Sequence, residues 1–168
     1  QTLINPTVYM DGNGEYKRHD QHLHTATGFP NYTTFSLWDT YRALHPLYNL
    51  LQPQRNADMV SSMMAHYDQS AHKMLPVWSN SANENWCMIG YHSVSVIADA
   101  VVKGTYYADA QKALDACIAT ANHKNYDGIA YYLQRGYVPE DKIRASVSKT
   151  LEYAYDDGRP SALAAFEA

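Results

Sequence analysis

The stretch that decides the fold spans residues 88–102 and reads MIGYHSVSVIADAVV. Apolar residues occupy nearly all sides of this stretch, with small residues between them, so a helix here would have no wide polar face. Gly104 follows shortly after, in a position where glycine caps helix C-termini. We therefore predict an inner helix over residues 88–102 and expect it to be the most buried segment of the chain.

Apolar residues recur at helical spacing on both sides of this segment. Pro46 should bend the first flanking helix, and Pro53 suits the first turn of the second. A further short turn or helix is expected over residues 129–133. The predicted apolar faces are Leu37, Tyr41, Leu44, Tyr48 and Leu51; Met59, Val60, Met63, Met64 and Tyr67; Ala110, Ala113, Leu114, Cys117, Ile118 and Ala121; and Val147, Thr150, Leu151 and Ala154.

The first 34 residues have a different character. Residues 7–10 and 15–18 read as short strands around the glycine-rich turn DGNG, which predicts a β-hairpin. We expect a mainly α chain with three parts: a hairpin and loop lead-in over residues 1–34, helices over residues 35–157, and an atypical tail over residues 158–168. The sequence departs from the preceding pattern from Gly158 onward.

Composition excludes several classes of partner. The apolar share of 46% and the charged share of 18% are ordinary for a folded chain of 168 residues. A net charge of −4, without any run of Lys or Arg, offers no basic surface to nucleic acid or anionic lipid. No apolar stretch reaches the ~20 residues that span a bilayer. The 15 tyrosines suit a carbohydrate ligand, although most such rings pack between helices.

The two cysteines do not define a redox compartment. Cys87 and Cys117 can form at most one bridge, which is not a disulfide framework. A buried free thiol is the expected state of each.

Two motifs place the residue types of a sugar pocket at predicted helix beginnings. They are SLWDTYR over residues 36–42 and ENWCMIGYH over residues 84–92. A pyranose has hydroxyls, which charged side chains bind with paired hydrogen bonds, and an apolar C–H face, which packs on aromatic rings. The residues that supply this chemistry are Trp38, Asp39, Arg42, Glu84 and His92.

Each of these residues also has a structural interpretation. Asp39 fits the acidic position of a capping box that begins at Ser36, and it is one helical turn from Arg42. Glu84 precedes a predicted helix, where the helix dipole favours a carboxylate without any ligand. Trp38 could anchor the core. The motifs alone leave these alternatives open.

Other clusters give weaker signals. His19, His22 and His24 make a metal site conceivable, since alternate residues of a strand share a face. Asp156 and Asp157 form an acidic pair, but adjacent helical positions diverge by about 100°, so we expect a solvated pair at a helix end. The sequence has no HExxH, paired CxxC, phosphate-loop or GxSxG motif.

Three longer blocks carry a family resemblance: FSLWDTYRALHPLYNLLQP, LPVWSNSANENWCMIGYHSVSVIADAVVKG and SVSKTLEYAYDD. In order and spacing they resemble the signature blocks of glycoside hydrolase family 92, the calcium-dependent α-mannosidases. The resemblance implies a partial (α/α)6 toroid, about half of the barrel, and disfavours trehalase-like hydrolases and polysaccharide lyases. It also implies that Trp38, Asp39, Arg42, Glu84 and His92 bind substrate.

The same resemblance implies that the chain is an internal fragment. In the family, the acid lies in a Glu-Gly-Asn-Ala-Trp block and the base in an Asn-Asp-Asp block, and both would lie downstream of Asp157. Most of the calcium ligands would lie there too. We therefore assign no catalytic residue and no metal ligand to this chain, and expect it to be inactive alone. Its missing partners would be the family's β-sandwich domain and the C-terminal half of the barrel.

The expected parent is a secreted, periplasmic or cell-surface exo-α-mannosidase. It would remove terminal mannose from N-glycans or mannans with inversion. The alternative is a non-catalytic helical domain that binds carbohydrate or has a structural role. Flanking coding sequence that contains the two carboxylate blocks would decide for the enzyme.

Overall fold

The computed structural model describes residues 3–106 and 108–167, with all side chains in these ranges except those of residues 162 and 165–167. Helices hold 48% of the chain, which confirms the predicted mainly α class. Within the described ranges, no helix is both long and apolar enough to cross a membrane. The helices are α1 (Leu37–Thr40), α2 (Leu44–Leu51), α3 (Pro53–Gln69), α4 (Ser93–Val102), α5 (Ala110–Ala121), α6 (Ile129–Arg135) and α7 (Ser146–Glu167), the last of which runs through the predicted tail.

The strands are short and form antiparallel pairs. The predicted turn before Glu15 forms, since the Gly14 N–H donates to the Asp11 carbonyl at 2.9 Å. The predicted hairpin is nevertheless wrong in its pairing, because the Tyr9 N–H donates to the Asn31 carbonyl at 2.8 Å and draws the first strand away. The pairs are β1 (Thr7–Val8) with β4 (Tyr32–Thr33), β2 (Glu15–Lys17) with β3 (Leu23–Thr25), and β5 (Ser79–Asn80) with β6 (Asn83–Glu84).

The α4 helix is the centre of the core. Residues 91–98 are all buried, and α4 packs against α2, α3, α5 and α7. The predicted inner helix is confirmed, although it begins at Ser93 because Met88 and Gly90 have φ of 70° and 82°. Gly104 follows its C-terminus with φ of 67°, as expected of a glycine cap.

The first predicted helix is divided in two. Residues 41–43 separate α1 from α2, and Pro46 lies in the first turn of α2. The expectation that Pro46 bends a continuous helix is therefore wrong, because its missing N–H would have no partner in a first turn anyway. Leu37 and Tyr48 are buried as predicted, whereas Leu51 is 64% exposed.

Helices α3 and α5 pack on α4 mostly through the predicted apolar residues. On α5, Ile118 departs from the prediction and is exposed. Both cysteines are free thiols; the expected burial is confirmed for Cys117 and wrong for Cys87, which is exposed. The predicted residues that are buried on these helices are Met59, Val60, Met63, Met64, Ala113 and Cys117.

The predicted apolar face of α7 is wrong. Val147 and Leu151 are 72% and 66% exposed, whereas Lys149, Tyr153 and Asp156 are buried. The helix packs on α4 and α5. Its hydrogen-bond partners lie in the flanking loops, since Asp156 bonds to His92 just before α4, and Lys149 and Tyr153 bond to Asp127 before α6. This packing turns the charged face of α7, rather than its aliphatic face, toward the rest of the described chain.

Candidate functional site

Glu152 joins three side chains of the SLWDTYR motif. Its carboxylate accepts hydrogen bonds from the Trp38 indole at 3.2 Å, the Tyr41 hydroxyl at 3.1 Å and the Arg42 guanidinium at 2.8 Å. Helix α7 supplies Glu152, and α1 with the turn after it supplies the three donors. The His92 ring stacks on Tyr41, with the ring centroids 4.0 Å apart. We call these five residues the Glu152 cluster.

Arg42 is the most firmly held exposed group of the cluster. Its Cζ lies 5.0 Å from the centroid of the Trp38 ring and 4.4 Å from that of Tyr41. One guanidinium nitrogen donates to the Trp38 carbonyl at 2.7 Å, while another donates to Glu152. The side chain is still 47% exposed. A fixed guanidinium beside an indole is suited to binding hydroxyls next to an apolar C–H face.

Asp39 lies beside the cluster with an exposed side chain. Its carboxylate accepts a hydrogen bond from the Ser36 hydroxyl, but Ser36 makes no capping hydrogen bond to the helix backbone. The predicted pair between Asp39 and Arg42 does not form, because Arg42 turns to Glu152. Asp39 therefore remains available at the surface.

Tyr41 is held as a proton donor. Burial first, and the neighbouring Glu152 second, raises the pKa of Tyr41 to about 12. The phenol is therefore neutral at physiological pH and donates to the Glu152 carboxylate. Together with Arg42, it fixes both carboxylate oxygens.

His92 is the most deeply buried member of the cluster and is 1% exposed. Its Nδ1 is hydrogen-bonded to Asp156 at 2.9 Å, and its Nε2 lies 3.5 Å from Glu152 without a hydrogen bond. A β-carbon on Gly90 would overlap this ring, so the imidazole occupies the space that a side chain at Gly90 would need. His92 therefore links two carboxylates from inside the fold and offers no exposed atom to a sugar.

The prediction of a solvated Asp156–Asp157 pair is wrong. Asp156 is fully buried and also accepts the Tyr91 backbone N–H at 2.9 Å. Burial raises the pKa of Asp156, and its hydrogen bond to His92 opposes that rise. Asp157 accepts the Tyr91 hydroxyl at 2.6 Å. Both carboxylates therefore have partners inside the fold, and both bond to Tyr91.

Glu84 is a buried carboxylate that organises a loop. It accepts the backbone N–H groups of Val77 at 3.0 Å, Trp78 at 2.8 Å and Trp86 at 3.0 Å. Burial raises the pKa of Glu84, and these hydrogen bonds oppose the rise. Its side chain is 0% exposed, so the structure directs it to backbone amides instead of the surface where Arg42 lies.

The histidines near the amino terminus have separate partners. His24 Nε2 lies 2.9 Å from Asp20, and His22 Nδ1 lies 3.6 Å from it. The His19 ring lies 5.5 Å from that of His72. Within the described residues, no group of three or more His, Cys, Asp or Glu side chains is arranged to hold a metal ion. His19, His22 and His24 therefore do not form the metal site that their spacing made conceivable.

Sequence reasoning missed Glu152, although it lies in one of the quoted blocks. A signal was present, because Lys149, Glu152 and Asp156 follow one another at spacings of three and four. Residues at this spacing share one helix face. A stripe of charged residues beside the aromatic Tyr153 indicates that these charges are buried or face a site. The prediction instead followed the aliphatic residues of α7, which lie on the opposite face.

Comparisons with known proteins give matches over nearly the whole chain. The sequence matches the glycosyl hydrolase family 92 catalytic domain over residues 1–166. The chain is similar to the structure of a family GH92 α-mannosidase from Bacteroides thetaiotaomicron in complex with mannoimidazole, with 52% identity and a TM-score of 0.95. It is also similar to a family GH92 inverting mannosidase from Bacteroides thetaiotaomicron VPI-5482, with 34% identity and a TM-score of 0.80. None of the curated proteins compared with the chain matches it.

The alignments cover 98% of this chain but only 22% and 25% of the two solved chains. The segment therefore corresponds to part of a larger catalytic unit in those proteins. The family match and the 52% identity rest on almost the whole length of this chain. On this evidence, the chain belongs to glycoside hydrolase family 92 and is part of a family 92 catalytic domain.

Proposed function

We propose that this chain is part of an inverting exo-α-mannosidase and supplies the surface that binds the terminal mannose. The observation that carries the proposal is the Glu152 cluster, in which Trp38 and Arg42 are fixed side by side at the surface. The similarity to a family α-mannosidase in complex with mannoimidazole supports mannose as the sugar.

Each residue has a distinct role in this proposal. The Trp38 ring packs on the C–H face of the mannose, and Arg42 and Asp39 bind its hydroxyls. Glu152 holds the indole and the guanidinium in place before the sugar arrives, which lowers the ordering cost of binding. His92 and Glu84 do not contact the sugar. His92 packs beside Glu152, and Glu84 orders the loop that carries Trp86.

The remaining machinery is assigned to the rest of the polypeptide. An inverting glycosidase needs a general acid and a general base about 6.5–9.5 Å apart, so that a water molecule fits between the base and the sugar. We place both groups, and the ligands of a calcium ion, in regions outside this segment. The segment would then form about half of an (α/α)6 toroid, next to a β-sandwich domain. The exposed aliphatic face of α7 supports further packing partners.

The biological substrate follows from the family resemblance. The whole enzyme is proposed to trim mannose from N-glycans or mannans outside the cytoplasm, as a secreted, periplasmic or surface protein. The net charge of −4 is compatible with a neutral glycan substrate.

Two polypeptides test the proposal: this chain, and a longer one that adds the two carboxylate blocks. The longer one should hydrolyse an aryl α-mannoside, lose activity on calcium chelation and release β-mannose first, whereas this chain should show no turnover. Losing the acid or the base alone costs roughly 10²–10⁴-fold in rate. In the longer polypeptide, Arg42→Ala should lower kcat/KM by roughly 10–100-fold, the value of a charged hydrogen bond. Arg135→Ala is the matched control, because Arg135 is exposed on α6.

Two outcomes would contradict the proposal. Release of α-mannose as the first product would exclude inversion. Equal kcat/KM values for Arg42→Ala and Arg135→Ala would show that the Glu152 cluster does not bind the sugar.

A further inference from the structure

Four histidines lie in one row where the lead-in (residues 1–34) meets the helices. The ring centroids of His66 and His19 are 6.2 Å apart, those of His19 and His72 are 5.5 Å apart, and those of His72 and His123 are 6.2 Å apart. We call these four residues the histidine row. His66 lies on α3, His72 in the turn after α3, and His123 in the turn after α5. The row therefore joins the ends of two helices to the lead-in.

Few negative charges face the row. Glu84 lies 4.0 Å from His66 Nε2, but its carboxylate is engaged with backbone N–H groups. Asp20 follows His19 in the chain, but it is paired with another histidine of the same hairpin. Arg18 precedes His19 and is a buried cation that acts on His66. Among the described residues, the row therefore has little negative charge to offset added protons.

The fold keeps the row neutral. Burial first, and His72 second, lowers the pKa of His19 and also that of His123. Burial, then Arg18 and His19, lowers the pKa of His66 to about 3. Each of these histidines has an ordinary pKa of 6.5, so below pH 6.5 an opened form binds more protons than the closed one. Acid therefore favours opening, and the contribution of the row to stability is complete only above that pH.

The row is connected to the loop before α4. The His72 ring meets the Trp86 ring edge-on, with the centroids 5.4 Å apart and the planes at 83°. Trp86 packs in turn against Tyr126, also at 5.4 Å. His72, His123, Trp86 and Tyr126 line one cavity of about 610 Å³, which is also lined by Lys149 at the start of α7. A movement of His72 would therefore change the wall of this cavity.

The turn that carries His72 has a strained backbone. Lys73 has φ of 50°, in the left-handed region that residues other than glycine rarely adopt. The Lys73 N–H donates to the Ser70 carbonyl at 3.1 Å, and the His72 N–H donates to the Ser70 hydroxyl at 3.2 Å. Strain of this kind persists where the surrounding structure imposes it. The ring contacts of His72 are such a constraint, so their loss would let the turn relax.

We infer that the histidine row is a pH-sensitive switch between the lead-in and the ends of the helices. While the rings are neutral, the row holds the turn after α3 against the lead-in and against Trp86. Proton uptake by His19, His72 and His123 places like charges ~6 Å apart, and their repulsion moves the turn away from the lead-in. The inference goes beyond the proposed function, because it needs neither the Glu152 cluster nor a substrate.

Nuclear magnetic resonance of this chain, in a titration from neutral to acid pH, tests the switch. The ring Cε1–H signals report the protonation of each histidine, and variants with glutamine in place of single histidines assign them. His72→Gln should raise the titration midpoints of His19 and His123, because it removes the positive charge beside them. His22→Gln is the matched control, since the His22 side chain is 80% exposed and lies outside the row.

Two further signals report the opening itself. The Trp86 indole N–H, assigned with Trp86→Phe, should shift as the row takes up protons, because the ring loses its contact with His72. The hydrogen-exchange protection of the Lys73 N–H should fall by roughly tenfold for each pH unit below the ordinary histidine range, the effect of opening coupled to one proton. His72→Gln and His123→Gln should both lessen this fall, whereas His22→Gln should keep it.

Three results would overturn the inference. Unchanged midpoints of His19 and His123 in His72→Gln would show that the row is not coupled. Titration of the histidines with no change at Trp86 or Lys73 would show that they take up protons without opening. Equal falls in Lys73 protection in the parent and in both row variants would assign the opening to groups outside the row. Spectra at neutral pH show whether each variant is folded, and His123→Gln decides the question if His72→Gln is not.

Discussion

Glu152→Gln should weaken the Glu152 cluster without leaving a cavity, because glutamine and glutamate have nearly the same shape. The substitution removes the negative charge of a carboxylate that lies 2.8 Å from the Arg42 guanidinium. The same carboxylate accepts hydrogen bonds from Trp38 and Tyr41. Hydrogen bonds to charged groups contribute ~1.5–3 kcal/mol and neutral ones ~0.5–1.5 kcal/mol. Arg42 is 47% exposed, and solvent reduces the contribution of such a pair to below ~1 kcal/mol. The expected loss in the free energy of unfolding is therefore about 1–2 kcal/mol.

Thermal unfolding followed by circular dichroism measures this loss. For a chain of this size, each kcal/mol changes Tm by ~2–4 °C, so Glu152→Gln should lower Tm by roughly 2–8 °C. Glu140→Gln is the matched control, because Glu140 is exposed and has no hydrogen bond or salt bridge among the described residues. The Trp38 indole N–H signal should also shift, since its acceptor loses charge. Equal Tm values for the two variants, with an unmoved Trp38 signal, would refute the reasoning.

Three further predictions concern single residues elsewhere in the fold. Gly90→Ala should lower stability by at least ~2 kcal/mol, because the added β-carbon overlaps the His92 ring at a φ of 82°; a Tm equal to that of the parent would show that the ring moves aside. Burial lowers the pKa of His45 to about 4, so the unfolded histidine takes up a proton first as the pH falls below 6.5. The free energy of unfolding in urea should therefore decrease between pH 6.5 and 4, and His45→Asn should reduce that slope; an unchanged slope would exclude His45. A thiol reagent at neutral pH should label Cys87 in the native chain and Cys117 only after unfolding, since Cys117 is buried and burial raises the pKa of its thiol; rapid labelling of both would contradict the burial.

Local patterns predicted the helices because hydrophobic periodicity acts within one element. Residues 91–98 show this most clearly, since apolar and small residues on all sides left only the interior as their place. The Glu152 cluster depends on residues far apart in the chain, with Glu152 and Arg42 separated by 110 positions. The burial of Asp156 has the same origin, since its partner His92 comes from another element. Spacing rules within one helix contain no information on either contact.

The strand pairing was predicted wrongly for a related reason. The turn around Gly14 is local, and it forms as its sequence indicates. The choice of partner for β1 depends on Asn31. Its backbone carbonyl accepts a hydrogen bond from the Tyr9 N–H, and its side-chain amide donates to the Tyr9 carbonyl at 2.8 Å. A sequence pattern that fixes a turn does not fix which strand lies beside it.

The alignment of three charged residues on one face of α7 limits which insertions this protein can tolerate. Lys149 lines the cavity, Glu152 holds the exposed arginine and Asp156 anchors the buried histidine, all from one helix face. Each residue of an α-helix adds 100° of rotation and about 1.5 Å of rise. Insertion of a single residue just before Lys149 would therefore turn all three charges away from their partners at once, whereas the same insertion in the loop before α7 would leave all three facing their partners. Evolution can lengthen that loop, but within α7 it is confined to replacing one side chain by another.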